Sequence, residues 1–174
     1  MKKYYRNYII IFLIIIGTVI VFREINIDKY KKIKSTNLSK ENINGVYLMQ
    51  KYDAIKIENI FGELFSKSED KDYSNYIYSP VSLKVDRDNN IIGIYTVKID
   101  TSLKTTKGIT KGISSEDVEK AYGNNFLKKE YSDFMGSSDG YFITYADKNN
   151  KIRLSFEFNE HSNWEVCNIS FYKY

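Results

Sequence analysis

One cysteine and one histidine are all that the 174 residues provide. A lone Cys cannot close an intramolecular disulfide, so the fold must rest on its apolar core. Positive charge is also missing where a nucleic-acid binder would need it. Lys2, Lys3, Arg6 and Arg23 are four of the 26 basic residues, and no acid precedes Glu24. The rest of the chain therefore balances its 22 acidic residues with an equal number of basic ones. A neutral body of this kind excludes nucleic acid as the expected partner. What is abundant is Tyr, Ile, Lys and Asn, a bias that AT-rich coding favours and that fits a low-GC Gram-positive host.

Hydrophobic residues at 43% suffice for a core, and charged residues at 28% are ordinary for a solvated surface. The longest uncharged run, Tyr8 to Phe22, follows a basic start. At ~1.5 Å per residue it spans roughly 22 Å, and Tyr4, Tyr5 and Tyr8 with the flanking Lys and Arg make up the difference from a bilayer core of roughly 30 Å. The exit "GTVIVF" has no small-residue cleavage site, and no Cys follows for lipidation. Residues 1–23 are thus expected to be a cytoplasmic tail and an uncleaved transmembrane signal-anchor. Residues 24–43, Lys-rich and without periodicity, are expected to be a polar stalk, and 44–174 an extracytoplasmic domain. Arg23, Lys29, Lys31, Lys32 and Lys34 after the run oppose that orientation, but long domains translocate largely regardless of charge.

Within 44–174 a pattern is written twice. "DAIKIENIFG" (Asp53–Gly62) and "SSEDVEKAYG" (Ser114–Gly123) match by role. Asp53 and Ser114 are N-caps, and Tyr52/Ile57 and Ile113/Val118 form hydrophobic staples. Ile57, Ile60 and Phe61, like Val118, Ala121 and Tyr122, make an apolar stripe, and Gly62 and Gly123 end the helices. A polar loop then precedes alternating strands, "NYIYS", "VSLKVD" and "IIGIYTVKI" in one case and "GYFITY", "IRLSFEF" and "WEVCNISFYKY" in the other. The expected fold class is α+β: a tandem repeat of a helix followed by an antiparallel β-meander of three strands, with units of about 44–100 and 101–174, behind the N-terminal transmembrane helix.

The stretch "KGISSEDVEKAYG" followed by a meander resembles the β-lactamase-inhibitory-protein-like architecture and the related small outer-membrane-assembly lipoprotein domains. Gly112, Ile113, Ser114, Val118 and Gly123 carry that resemblance. It implies a role in protein–protein contact, while the missing lipidated Cys and Cys pair depart from the family.

Motifs for chemistry are absent. Gly108 and Gly112 do not form a phosphate cradle, since Ile113 stands where the Lys of such a loop would follow. "DRDNN" at Asp86–Asn90 mimics a calcium loop, but Ile91 and Val97 occupy its Gly and Glu positions. His161 falls at a hairpin tip, and Cys167 shares strand parity with Ile169 and Phe171, which predicts a buried core thiol. No nucleophile, base and orienting group converge, so the chain is read as non-enzymatic, with no metal, no cofactor and no small-molecule ligand indicated. The expected function is binding of a protein outside the membrane, with residues 8–22 contacting the membrane. Tyr76, Tyr78, Tyr95, Tyr141 and Tyr145 are the candidate interaction surface. The alternative is an envelope-associated structural module whose Lys-rich stalk meets anionic lipid or wall polymer.

Overall fold

The computed structural model describes residues 30–97, 102–132 and 139–174. The apolar run 8–22, expected to cross the membrane, lies outside the described residues, among which no helix is long and apolar enough for that role. The chain divides into two units, 1–34 and 35–174. Of the first only 30–34 are described, with 30–32 helical.

The second unit is built on strands. A two-stranded hairpin, β1 (Asn42–Ile43) and β2 (Val46–Tyr47), turns through Asn44 and Gly45 at φ 49° and 80°. Asn-Gly is the pair that best tolerates two consecutive positive φ values. Helix α1 (Ala54–Phe61) leads into β3 (Leu64–Glu69), β4 (Tyr73–Tyr78), β5 (Val81–Asp86) and β6 (Ile91–Thr96). Helix α2 (Ser115–Tyr122) leads into β7 (Leu127–Ser132), β8 (Asp139–Asp147), β9 (Ile152–Asn159) and β10 (Val166–Lys173). All eight form one antiparallel sheet in the order β3-β4-β5-β6-β10-β9-β8-β7.

This overturns the α+β expectation. Among the described residues 47% are in strands and 16% in helices, a mainly β protein. Each helix is followed by four strands, because the polar loops expected after Gly62 and Gly123 are themselves strands. "LFSKSE" and "LKKEYS" are the two sheet edges, solvated enough to carry charge and so lacking the apolar alternation of an inner strand.

The helices form for local reasons. Asp53 Oδ1 and Ser114 Oγ accept from the Lys56 and Asp117 N–H groups, each at 3.2 Å. Gly62 and Gly123 end the helices at φ 87° and 85° with ψ near 180°. That region is open essentially to glycine alone and is not the left-handed helical conformation. Ile57 and Phe61 of α1, and Val118 and Tyr122 of α2, pack on one sheet face with Tyr78, Leu83, Ile94, Tyr145, Phe156 and Phe171. Phe61 meets Tyr78 at 6.4 Å, and Tyr122 meets Phe156 at 5.5 Å between ring centroids.

Residues 35–43, read from sequence as the end of a stalk, belong to this unit. Leu38, Glu41 and Ile43 are buried. The Thr36 N–H donates to the Ala146 carbonyl at 2.9 Å, and the Leu38 N–H to Asp147 Oδ2 at 2.9 Å. Glu41 accepts the Tyr122 hydroxyl at 2.9 Å and the Thr106 N–H at 2.7 Å, tying the segment to α2. A buried carboxyl needs such donors, since an unsatisfied one is expensive. Tyr122→Phe should therefore lower stability by about 1–3 kcal/mol in urea denaturation while leaving the far-UV spectrum intact.

Asp147 closes the β8–β9 turn, accepting from the Asn149 and Asn150 N–H groups at 3.1 and 3.0 Å and from the Asn150 amide at 2.9 Å. Burial alone would raise its pKa, but the hydrogen bonds from Asn150, Leu38 and Asn149 outweigh it and hold the carboxyl below the ordinary aspartate range. A lowered folded-state value means stabilisation that is present above about pH 4 and lost as pH falls further. Thermal melts from pH 6 to 2.5 should show this acid limb, and Asp147→Asn should flatten it while lowering stability at pH 6.

Candidate functional site

The alternation of each strand divides the sheet residues between two faces, and register decides which tyrosines share one. Tyr78 and Tyr145 point into the core and are fully buried. The Tyr78 hydroxyl lies 2.7 Å from that of Tyr52, and the Tyr145 hydroxyl donates to the Gly123 carbonyl at 2.8 Å. Burial raises the pKa of both phenols. They are structural, and neither belongs to a contact surface. Tyr76 and Tyr141 lie on the same face, half-buried towards the sheet edges. Tyr76 stacks on Tyr52 at 4.2 Å, and Tyr141 lies 4.9 Å from Phe158 and 6.0 Å from Trp164. Lys67 and Lys128 sit over these two rings at 5.3 and 4.2 Å.

Of the five sequence candidates only Tyr95 occupies the opposite face, and the structure gathers other residues around it. Ser170 pairs with Tyr95 and Tyr172 with Gly93 across the β6–β10 junction, so the Tyr95 and Tyr172 rings stack diagonally at 6.1 Å. A Cβ at Gly93 would meet the Tyr95 ring at 2.7 Å, so the glycine makes room for the ring to lie flat on the sheet. Gly140 does the same for Tyr131, at 2.4 Å. Tyr131 also packs on Phe142 at 5.2 Å, and Lys84 stands 3.5 Å above Tyr73. These rings are half-buried and leave part of their surface to solvent.

A hydrogen-bonded chain starts from one of these rings. The Tyr131 hydroxyl donates to Glu157 Oε1 at 2.6 Å, and the Asn168 amide donates to Glu157 Oε2 at 3.3 Å. The Thr96 hydroxyl donates to Asn168 Oδ1, and Thr96 Oγ1 accepts the Ile169 N–H at 2.9 Å. Desolvation and the Glu157 carboxylate together raise the Tyr131 phenol. The result is a pre-ordered polar and aromatic platform that runs from β7 to β6. Tyr73, Tyr131 and Tyr172 were missed in the sequence. For Tyr172 a signal existed: it neighbours Phe171, so it takes the face that the core residue leaves.

At one end of this platform a cavity of about 550 Å³ is lined by Thr96, Lys111, Glu157, His161, Cys167 and Asn168 among others. Cys167 is half-buried instead of belonging to the core. A β-bulge between Val166 and Asn168 inserts one residue, so Val166 takes the inward position opposite Phe158 and Cys167 is displaced. Its thiol donates to the Glu157 carbonyl at 3.3 Å. Burial, with the Glu157 carboxylate nearby, raises its pKa. His161 lies exposed in the 3-10 turn Glu160–Ser162, on the same cavity rim. Such a thiol is held in its unreactive protonated form at neutral pH. No cluster of three or more His, Cys, Asp or Glu positioned to hold a metal ion occurs among the described residues.

Comparison of the chain with protein-family models, curated sequences and solved structures finds no match to any of them. The thiol chemistry is directly measurable. Iodoacetamide at pH 7.5 should label Cys167 in the folded protein at least about tenfold more slowly than in urea-unfolded chain, with the folded-state rate still rising above pH 9.

Proposed function

We propose that this chain is a non-catalytic protein-binding domain acting outside the cytoplasm at the cell membrane, with residues 8–22 as its membrane contact. The partner docks on the sheet face opposite the helices. The observation that carries this reading is the Tyr95–Tyr172 stack at the centre of the sheet, on the same face as Tyr131 and Phe142, where Glu157, Asn168 and Thr96 form a hydrogen-bonded chain that begins at Tyr131. Tyrosines supply large amphipathic contact area with little rotamer freedom to lose, and here glycines and hydrogen bonds have already restricted them. A partner thus meets a surface whose ordering cost is mostly met in the fold. The resemblance of the Gly112–Gly123 segment to interaction domains supports the same class.

In-cell crosslinking of the full-length protein, followed by affinity capture and mass spectrometry, tests the proposal. One protein captured in stoichiometric amount is expected, and Tyr95→Ala with Tyr172→Ala should reduce its capture by about tenfold or more, the loss typical of central aromatic anchors. Tyr76→Ala, on the opposite face of the sheet, should leave capture unchanged. Recovery of only lipid and wall polymer would overturn the reading, and a C-terminal reporter that stays cytoplasmic would overturn the location.

A further inference from the structure

The two edges of the sheet are not equally guarded. Every residue of β3 is exposed, and one side of the strand pairs with β4. Asp70 donates its N–H to the Tyr73 carbonyl at 2.8 Å, which closes the β3–β4 hairpin and marks 70/73 as a hydrogen-bonded pair. Antiparallel pairs alternate, so the main-chain groups of Ser68 and Ser66 also face β4. Those of Lys67 and Glu69 then face outward, a short row of donors and acceptors ready for another strand.

The side chains select which strand fits. Lys67 and Glu69 flank Ser68 and form an ion pair at 2.6 Å. An antiparallel copy of β3 related by a two-fold axis at Ser68 sets Lys67 opposite Glu69 of the second copy, twice. That register also joins the outward main-chain groups of the same residues in four hydrogen bonds. A register centred on Lys67 would oppose two lysines, and one centred on Ser66 would bring Glu69 against Glu63. The other edge cannot do this. In β7 Lys128 and Glu130 form the same kind of pair, at 3.3 Å, but the residue between them is Lys129, which would meet itself on the axis. Phe65 adds an apolar flank. The bulge between Leu64 and Ser66 leaves it 83% exposed, whereas Phe126, just before β7, packs on Tyr145 at 5.8 Å.

We infer that two copies of this chain associate edge to edge through β3, in antiparallel register about Ser68, forming a continuous sheet across the pair. This inference does not rest on the proposed partner-binding face. An interface of one strand pair is small and belongs to the weak, reversible class.

Disulfide trapping in the full-length protein, with Cys167→Ser as background, reads the register directly. The Ser68 positions of the two copies form a non-hydrogen-bonded pair with Cα atoms about 4.5 Å apart, within disulfide range. The Ser66 positions are separated by about 13 Å at ~3.3 Å per residue, beyond it. Ser68→Cys should therefore give covalent dimer under mild oxidation at least about tenfold faster than Ser66→Cys. Adding Lys67→Glu should suppress the Ser68→Cys dimer, and exchanging the pair by Lys67→Glu with Glu69→Lys should restore it. Equal trapping at 66 and 68, no trapping at 68, or failure of the exchanged pair to restore the dimer would each overturn the inference. All of these residues but Cys167 are exposed on the edge strand, and a circular dichroism melt verifies that each variant is folded.

Discussion

Three residue pairs, Ser170–Tyr95, Phe171–Ile94 and Tyr172–Gly93, join β10 to β6 in the middle of the sheet, and both faces depend on them. On the helix side, Phe171 and Ile94 are buried together and make one core out of what would otherwise be two, under α1 and under α2. On the other side the same register puts Tyr172 next to the side-chain-free Gly93, and that is what lets it stack on Tyr95. A slip by one residue would turn Phe171 to solvent and Tyr172 into the core. The cost of exposing a buried aromatic ring, of order 3 kcal/mol, therefore also protects the geometry of the surface platform.

Away from that junction, three carboxylates gather hydrogen-bond partners of their own. Asp86 and Asp147 end β5 and β8, and each gathers hydrogen bonds from an Asn a few residues on, Asn90 and Asn150. In Asp86, as in Asp147, burial pushes the pKa up and the hydrogen bonds more than reverse it. Asp147 does a second job, because the Leu38 N–H donates to the same carboxylate. Glu41 is used in a comparable way against Tyr122. The segment before β1 is thus fastened at two points of the second helix–strand run, the β8–β9 turn and α2, by groups that would be costly to leave unpaired.

Local chemistry was legible in the sequence where it is self-contained. Asp53 and Ser114 cap the helices, and Gly62 and Gly123 stop them, because caps depend on residues within one turn. The Asn44-Gly45 hairpin was equally local, and its dipeptide is a strong turn signal that went unread. Alternation correctly separates neighbouring residues onto two faces but does not say which face the helices will cover. Tyr78 and Tyr95 both stand between an isoleucine and a hydroxyl residue, yet one is in the core and the other is on the platform. Cys167 was misplaced for a different reason: its parity with Ile169 holds only without the bulge at Val166/Asn168, and nothing in "WEVCNIS" announces an extra residue. Charged edge strands fail the periodicity test altogether, so four strands were counted as three.

The bulges explain why two similar runs have diverged. In β7 the register to β8 is unbroken, so Phe126 is positioned to pack on Tyr145 and the edge is left with only polar and charged residues outward. In β3 the irregularity at Leu64/Ser66 displaces Phe65 from the equivalent position, and a large apolar ring ends in solvent beside an edge with balanced charge. Exposure of that ring has no benefit for the isolated fold, since burying it would recover transfer free energy of about 1.5–3 kcal/mol. Bulges at sheet edges commonly re-aim a side chain or end a pairing. Here the re-aimed residue and the unblocked strand lie together, while at the opposite edge the ring is half-buried against the core and Lys129 stands at the centre. The same sheet therefore has one edge built to end and one edge suited to continue.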